Sequence, residues 1–275
     1  MKYKEIEKLE GEKFRRLTGV KKATFEQMVE ILEVEDKRKK ARNGRKSKLC
    51  IEERLLMALE YIREYRTYFH IGQSYGMSES NSFKIIRWVE DILIKHPDFA
   101  LPGKKELLKS DVEYEVLVID GTETPVERPK KKQKPFYSGK KKRHTIKTQI
   151  VTERKSKKVI CTSFSNGRKH DFRMFRESKV AVLPQTKILA DAGYRGMQKI
   201  HKNVVLPHMK TKKNPLSKEQ KKENRALMSQ RAIVENVIGL LKRFKIISDR
   251  YRNRRKRFGL RFNLIAAIHN FELPT

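Results

Sequence analysis

The sequence predicts an all-helical N-terminal region followed by an α/β or α+β domain of the catalytic kind. Three observations carry this expectation. Apolar residues recur at helical spacing from Phe25 to Ile92, two prolines and a glycine interrupt the pattern within 97–113, and from Tyr114 onward short apolar strands come first and then alternate with helices. With 275 residues and 37% hydrophobic side chains the chain can fill two cores, which argues against disorder despite its charge.

Near the start, Phe25, Met28, Val29, Ile31 and Leu32 form one helical face, with Thr24 as the expected N-cap. Asp36 to Leu49 is a polybasic link containing Gly44, equally readable as solvated linker or as an arm along DNA phosphates. Leu55, Leu56, Leu59 and Ile62 then mark an amphipathic helix, and Tyr68, Phe69 and Ile71 begin a second. Gly76 and Met77 interrupt, and Ser78 caps a third helix carrying Phe83, Ile85, Ile86, Trp88, Val89 and Ile92. Helix, short glycine turn, helix is helix-turn-helix spacing. The polar first turn, with Ser78, Ser80, Asn81 and Ser82, suits contacts to base edges or phosphates. The same pattern also fits an ordinary three-helix bundle with one wet face.

Beyond the boundary, strands are expected at Val116–Ile119, Thr145–Val151, Val159–Phe164 and Ile188–Ala190, and helices over His170 to Lys179 and Ser229 to Lys245. Asp120 and Asp191 each end an apolar strand, where ligands gather in mixed sheets. On the last of these helices Ile233, Val237, Leu240 and Phe244 are assigned to the core and Arg231, Glu235 and Lys242 to the polar side. Taken singly, each acid has a plain structural role: Asp120 opens a turn, Asp191 caps a helix, Glu235 pairs with Arg231 one turn away. Taken together, three carboxylates on two strand ends and a helix are the hard oxygen ligands that two divalent cations, roughly 3.5–4 Å apart, require for phosphoryl transfer.

Sixty-six Lys and Arg against thirty-three Asp and Glu leave a formal charge of +33, which makes nucleic acid the default partner and a small-metabolite enzyme a poor fit. Fourteen of the cations fall between Arg128 and Lys158 against the single acid Glu153, and the tail from Arg250 to Phe262 is basic without an acid, readable as a DNA track or a solvated segment. Cys50 and Cys161 have no zinc or disulfide spacing and are expected as buried thiols. The N-terminus lacks an apolar signal core and no run of eighteen apolar residues occurs, so the expected location is cytoplasmic, associated with the nucleoid, with no membrane partner.

The segments "VLVIDGTETPVERP", "YSGKKKRHTIKTQ", "GRKHDFRMF", "LADAGYRG" and "RAIVENVIGLLKRFK", with "GRKSKLCIEERLLMALEYIREYRTYFHIGQSYGMSES" upstream, resemble in order those of the DDE transposases of the IS5 group of bacterial insertion sequences, over about residues 40 to 273. The resemblance implies an RNase H-like mixed sheet flanked by helices, preceded by the helix-turn-helix domain. It implies Asp120, Asp191 and Glu235 as catalytic triad and metal ligands for two Mg2+ ions, with Mn2+ as substitute. Arg231, Glu235 and Lys242 match the related Tyr-x2-Arg-x3-Glu-x6-Lys signature, whose tyrosine position is Met228 here. DNA contacts are expected at Ser78, Ser80, Asn81, Arg143, Arg231 and Lys242, with His170 and Asp171 as possible support for the site. The implied function is a transposase that binds the terminal inverted repeats of its element, cleaves strands and joins the 3′-OH to target DNA, as a homo-oligomer assembled on DNA. The rivals are an RNase H-like nuclease that cuts without joining and a catalytically dead DNA-binding regulator. The expected organisation is a helical region and basic link over 1–45, the helix-turn-helix domain over 46–100, a linker over 101–113 and the catalytic domain over 114–275.

Overall fold

The switch from helical to strand periodicity at 97–113 is a boundary between two compact units in a computed structural model that describes residues 3–41, 47–109, 114–211, 215–253 and 255–274. The helices in chain order are α1 (Tyr3–Ile6), α2 (Gly11–Thr18), α3 (Lys22–Lys40), α4 (Ile51–Glu64), α5 (Tyr68–Ser74) and α6 (Glu79–Leu93). Then follow β1 (Val116–Pro125), β2 (Tyr137–Ser138), β3 (Arg143–Glu153), β4 (Val159–Asn166), α7 (Asp171–Ser178), β5 (Lys187–Ala190), β6 (Val204–Val205), α8 (Lys218–Leu241), α9 (Lys245–Ser248) and α10 (Phe258–Phe271). Gly44 of the basic link, the end of the 101–113 boundary and Arg254 of the basic tail lie outside the described residues. No helix among the described residues is long and apolar enough to cross a membrane.

The first unit holds Met1–Ala100 together with Leu241–Asp249 and Asn253–Thr275, so the end of the chain, expected in the catalytic domain, packs with the N-terminal helices. Its centre is α4, where Leu55, Leu56, Met57, Ala58, Leu59, Tyr61 and Ile62 are all buried: the helix is wrapped all round rather than amphipathic. Thr67 accepts from the His70 amide at 3.2 Å to cap α5, and Ser78 accepts from the Asn81 amide at 3.3 Å to cap α6. The turn between them is tight, since a Cβ at Gly72 would stand 2.6 Å from the Met77 carbonyl oxygen. Ser82 is buried against that turn, so only Ser78, Ser80 and Asn81 of the expected polar turn face outward.

Several expectations are corrected here. Helix α3 begins at Lys22, so Thr24 is a buried helical residue whose hydroxyl donates to Glu272, and Lys21 takes the cap position. The same helix runs through the first part of the expected link, where Asp36 accepts from Arg54 at 2.9 Å and pairs with Lys40. Cys50, expected as a buried thiol, is exposed, while Cys161 is buried; Phe83 on α6 is 39% exposed. Two residues of the basic tail are structural. Arg261, 1% exposed, donates from Nε to Glu90 Oε1 at 2.7 Å; Arg257 donates to Glu90 Oε2 at 2.7 Å and to Asp91 at 2.8 Å. Glu90 is fully buried, and the stack of Arg261 on the Tyr61 ring at 5.0 Å completes the tie between α10, α6 and α4.

The second unit, Leu101–Leu240 with Arg250–Arg252, is built on a sheet in which β4, β3 and β1 pair antiparallel while β5 and β6 join parallel to β1. That order, β4-β3-β1-β5-β6, is the RNase H-like mixed sheet, and the short β2 pairs with the start of β3. Alternation along the strands separates two cores. Leu117, Ile119, Ile188 and Ala190 pack on one face with Phe175 of α7, Tyr194 and Met197. Val116, Val118 and Leu189 pack on the other with Leu227 and Val234 of α8.

Removing one partner of a buried ion pair leaves the other charge uncompensated, at a cost of about 3–5 kcal/mol. Arg261→Ala should therefore destabilise the protein to that extent in denaturant titration by stranding Glu90, whereas Lys256→Ala, on an exposed residue of the same tail, should change it by no more than ~0.5 kcal/mol.

Candidate active site

Strand register brings the two aspartates together. Strands β1 and β5 run parallel with Ile119 opposite Ala190, so Asp120 and Asp191 each stand one residue past that last pair. Neighbouring strands lie about 4.8 Å apart, and both acids share the parity of Val118 and Leu189, so both belong to the α8 face. Asp120 is not at a strand end as expected, since β1 continues to Pro125 against β3; β5 is the strand that stops. Where β5 stops, the backbone of Asp191 opens a short 3-10 turn over Ala192–Tyr194, with no capping bond from the Asp191 side chain.

Helix α8 brings the cation. Its buried seam is Leu227, Arg231, Val234, Val237 and Leu241, not the seam through Ile233 and Leu240 expected from the sequence, and Leu240 is 42% exposed. The rotation puts Arg231 on the inner side, 9% exposed, instead of on the polar stripe. Its Nη2 is 3.4 Å from Asp120 Oδ2 and its Nη1 3.6 Å from Asp191 Oδ1, so one guanidinium serves both aspartates. Among the described residues Arg231 Nε has no hydrogen-bond partner. Glu235, one turn on, is exposed, and its charge still reaches Asp120.

Burial pushes the Asp120 carboxyl above the usual carboxylate range, the charges of Asp191 and Glu235 push the same way, and the Gly121 amide, donating at 2.7 Å, and Arg231 oppose them. Asp191 and Glu235 thus both act electrostatically on Asp120. Among the described residues no three His, Cys, Asp or Glu side chains stand close enough together to hold a metal ion. The set fits one in kind: its donors are hard carboxylate oxygens, and two of them already share a cation.

The remaining candidates are dispersed. Ser78, Ser80 and Asn81 are exposed in the first unit, Lys242 lies in that unit just beyond the end of α8, and Arg143 is exposed at the start of β3. Met228, at the tyrosine position of the signature, is 67% exposed on α8. His170 takes the N-cap position of α7 with no side-chain capping bond, and Asp171, the first residue of that helix, accepts from Lys147 Nζ at 2.9 Å. Lys147 was missed in the sequence because it sits in a polycationic segment where nothing marks it from its neighbours.

Residues 119–270 match the family described as DDE superfamily endonuclease, and residues 47–99 match the helix-turn-helix of DDE superfamily endonuclease. A relative from Microchaete diplosiphon, described as a probable transposase for insertion sequence element IS702, is 48% identical over 273 residues, which is 99% of this chain and 99% of that protein.

Because the Asp120 carboxyl is raised in the folded state, what it contributes to stability is present below the ordinary carboxylate range and is lost as pH rises through its raised value. In metal-free solution Asp120→Asn should accordingly melt higher than wild type at pH 7. The difference should shrink as pH falls into the carboxylate range, and a melting point below wild type at pH 7 would contradict the assignment of burial as the dominant influence.

Proposed function

The chain belongs to the DDE superfamily of endonucleases and is an insertion-sequence transposase, and from that premise we propose that it binds the terminal inverted repeats of its element, cleaves DNA strands there and joins the freed 3′-OH to target DNA. Divalent-metal dependence goes with the family; that the ions are two Mg2+, replaceable by Mn2+, held by Asp120, Asp191 and Glu235, is our reading. The observation that carries it is the placement of Asp120 and Asp191 side by side on parallel strands around the Arg231 guanidinium, with Glu235 one turn along α8.

The ions supply activation of the attacking oxygen and stabilisation of the leaving one. The protein supplies everything else. Ser78, Ser80 and Asn81 open the second helix of a helix-turn-helix and are the side chains offered to base edges or phosphates. Arg143, Lys242 and the cations between Arg128 and Lys158 neutralise phosphates, which lowers the repulsion that a strand meets as it nears three carboxylates. Arg231 holds Asp120 and Asp191 against their mutual repulsion before metal arrives and is afterwards a cation beside the site for a phosphate. The protein is proposed to act as a homo-oligomer assembled on the DNA ends, in the cytoplasm at the nucleoid.

Asp120→Asn, Asp191→Asn and Glu235→Gln should each reduce cleavage and joining of supercoiled donor DNA to background while leaving affinity for terminal-repeat DNA unchanged, since removing acids does not weaken a polyanion complex. Mg2+ or Mn2+ should support the wild type, EDTA should abolish turnover, and Ca2+ should permit binding with little chemistry, because its looser and higher coordination positions oxygens poorly. Glu123→Gln is the control: Glu123 accepts from the Thr145 hydroxyl at 2.7 Å, a bond that glutamine keeps, and activity should stay near wild type. A well-folded Asp120→Asn protein that cut at the wild-type rate would overturn the assignment. Cleavage without joining would favour the nuclease reading.

A further inference from the structure

Three segments that the reaction leaves without a role, "GRKHDF", the "AGYRG" that follows Asp191, and the glycine of "DGT", meet on the face of the sheet opposite the acids. Parity decides it. Gly121 lies one residue beyond Asp120 and so turns to the side where Leu117 and Ile119 pack against Phe175 and Tyr194. There the Asp171 carboxylate lies against two backbones at once. A Cβ at Gly121 would stand 3.4 Å from Asp171 Oδ1, and one at Gly193 would stand 2.5 Å from Asp171 Oδ2, closer than real Cβ atoms come. Gly121 is bonded to Asp120, and Gly193 lies two residues beyond Asp191. The next residue of α7 does the same further along: a Cβ at Gly196, where φ is +103°, would stand 2.7 Å from the Phe172 ring. Lys147, on β3 opposite Glu123, holds the Asp171 carboxylate by donating at 2.9 Å to Oδ1 and at 2.8 Å to the Lys169 carbonyl, with its side chain only 11% exposed.

The ladder cannot do this work. Pairing of β1 with β5 ends at Ile119 and Ala190, so the turn carrying Asp191 is outside the sheet's hydrogen bonds to β1. Ligand geometry has to be held within about 0.5 Å by the shell behind it. We propose that the ion pair of Lys147 and Asp171 is a positioning device that fixes, from behind the sheet, the separation of the Asp120–Gly121 and Asp191–Gly193 segments, and through it the affinity of the acid site for its divalent cation. Asp171 and Lys147 touch neither DNA nor ion in this role. They act through the backbones of their neighbours: the carboxylate occupies the space a side chain at 193 would need and lies in van der Waals contact with the position a Cβ would take at 121.

The inference rests on the acid-site reading above and is tested beside it. Full-length wild type, Asp171→Asn and Asp191→Asn are titrated with Mn2+ by calorimetry without DNA, melted in EDTA, and assayed for terminal-repeat DNA binding. Asp171→Asn should bind Mn2+ roughly 10–100-fold more weakly, the usual range for loss of an outer-shell partner, with DNA affinity unchanged. Gly193→Ala, whose methyl group pushes on Asp171 Oδ2, should weaken Mn2+ in the same direction, and should add little in an Asp171→Ala background, where the atom it meets is gone. It carries the test by itself if Asp171→Asn does not fold. A lowered melting point with a wild-type Mn2+ constant in both variants would overturn the proposal and leave a merely structural pair. If wild type bound no Mn2+, or if Asp191→Asn bound it as well as wild type, the acid-site reading would fall and this inference with it.

Discussion

Two carboxylates, Asp120 and Asp191, stand side by side on parallel strands and repel one another, and the second unit has to accommodate that conflict. Two like charges 4 Å apart cost about 4 kcal/mol at an effective dielectric near 20, and burial adds to the cost. Asp120 shows the result: burial first, and the charges of Asp191 and Glu235 after it, raise its carboxyl. Arg231 is the answer the fold provides: a buried guanidinium with both aspartates within 3.6 Å, fixed on α8 by the apolar seam of Leu227, Val234 and Val237 around it. The helix must therefore pack with Arg231 inward, and Glu235 follows because it lies one turn further along.

The sheet solves the other half of the problem. A parallel pair of strands with matched parity places two residues side by side on one face without any loop having to be shaped for it, and β5 stops where β1 continues. Glycine is needed at 193, where the backbone beyond Asp191 is approached from behind. Gly193 gives the Asp171 carboxylate its place, and in our proposal that lets a charge on one face of the sheet set the spacing of the charges on the other.

Much of this was legible before any coordinates. Four apolar runs became strands at nearly their expected positions, because period-2 patterning and buried β-branched residues specify a strand locally. Asp120, Asp191 and Glu235 could be named as a set because the order of motifs was colinear with one family. What could not be read was rotation and reach. The seam of α8 has Ile233 and Leu240 competing with Val234 and Leu241 for the inward position, and only packing against Val118 and Leu189 decides between them. The extent of β1 past Asp120 is set by β3 across the ladder, not by the polar run "DGTETP" itself. Thr24 was misread for a similar reason: a threonine near a helix start resembles a cap until a distant carboxylate, Glu272, claims its hydroxyl.

Charge was the feature read most simply and most in need of division. A basic tail without an acid in sequence was open to reading as a track for DNA, yet Arg257 and Arg261 find their acids at Glu90 and Asp91, about 170 residues away in the chain. Arg54 with Asp36 and Lys147 with Asp171 are the same case. Sequence distance hides such pairs because burial and partner are both long-range properties. A net charge of +33 thus overstates the cations offered to phosphate and understates those that hold helices and acids in place, and the division is drawn by burial: an arginine 1% exposed against a buried glutamate is part of the frame, whatever the run of residues around it suggests.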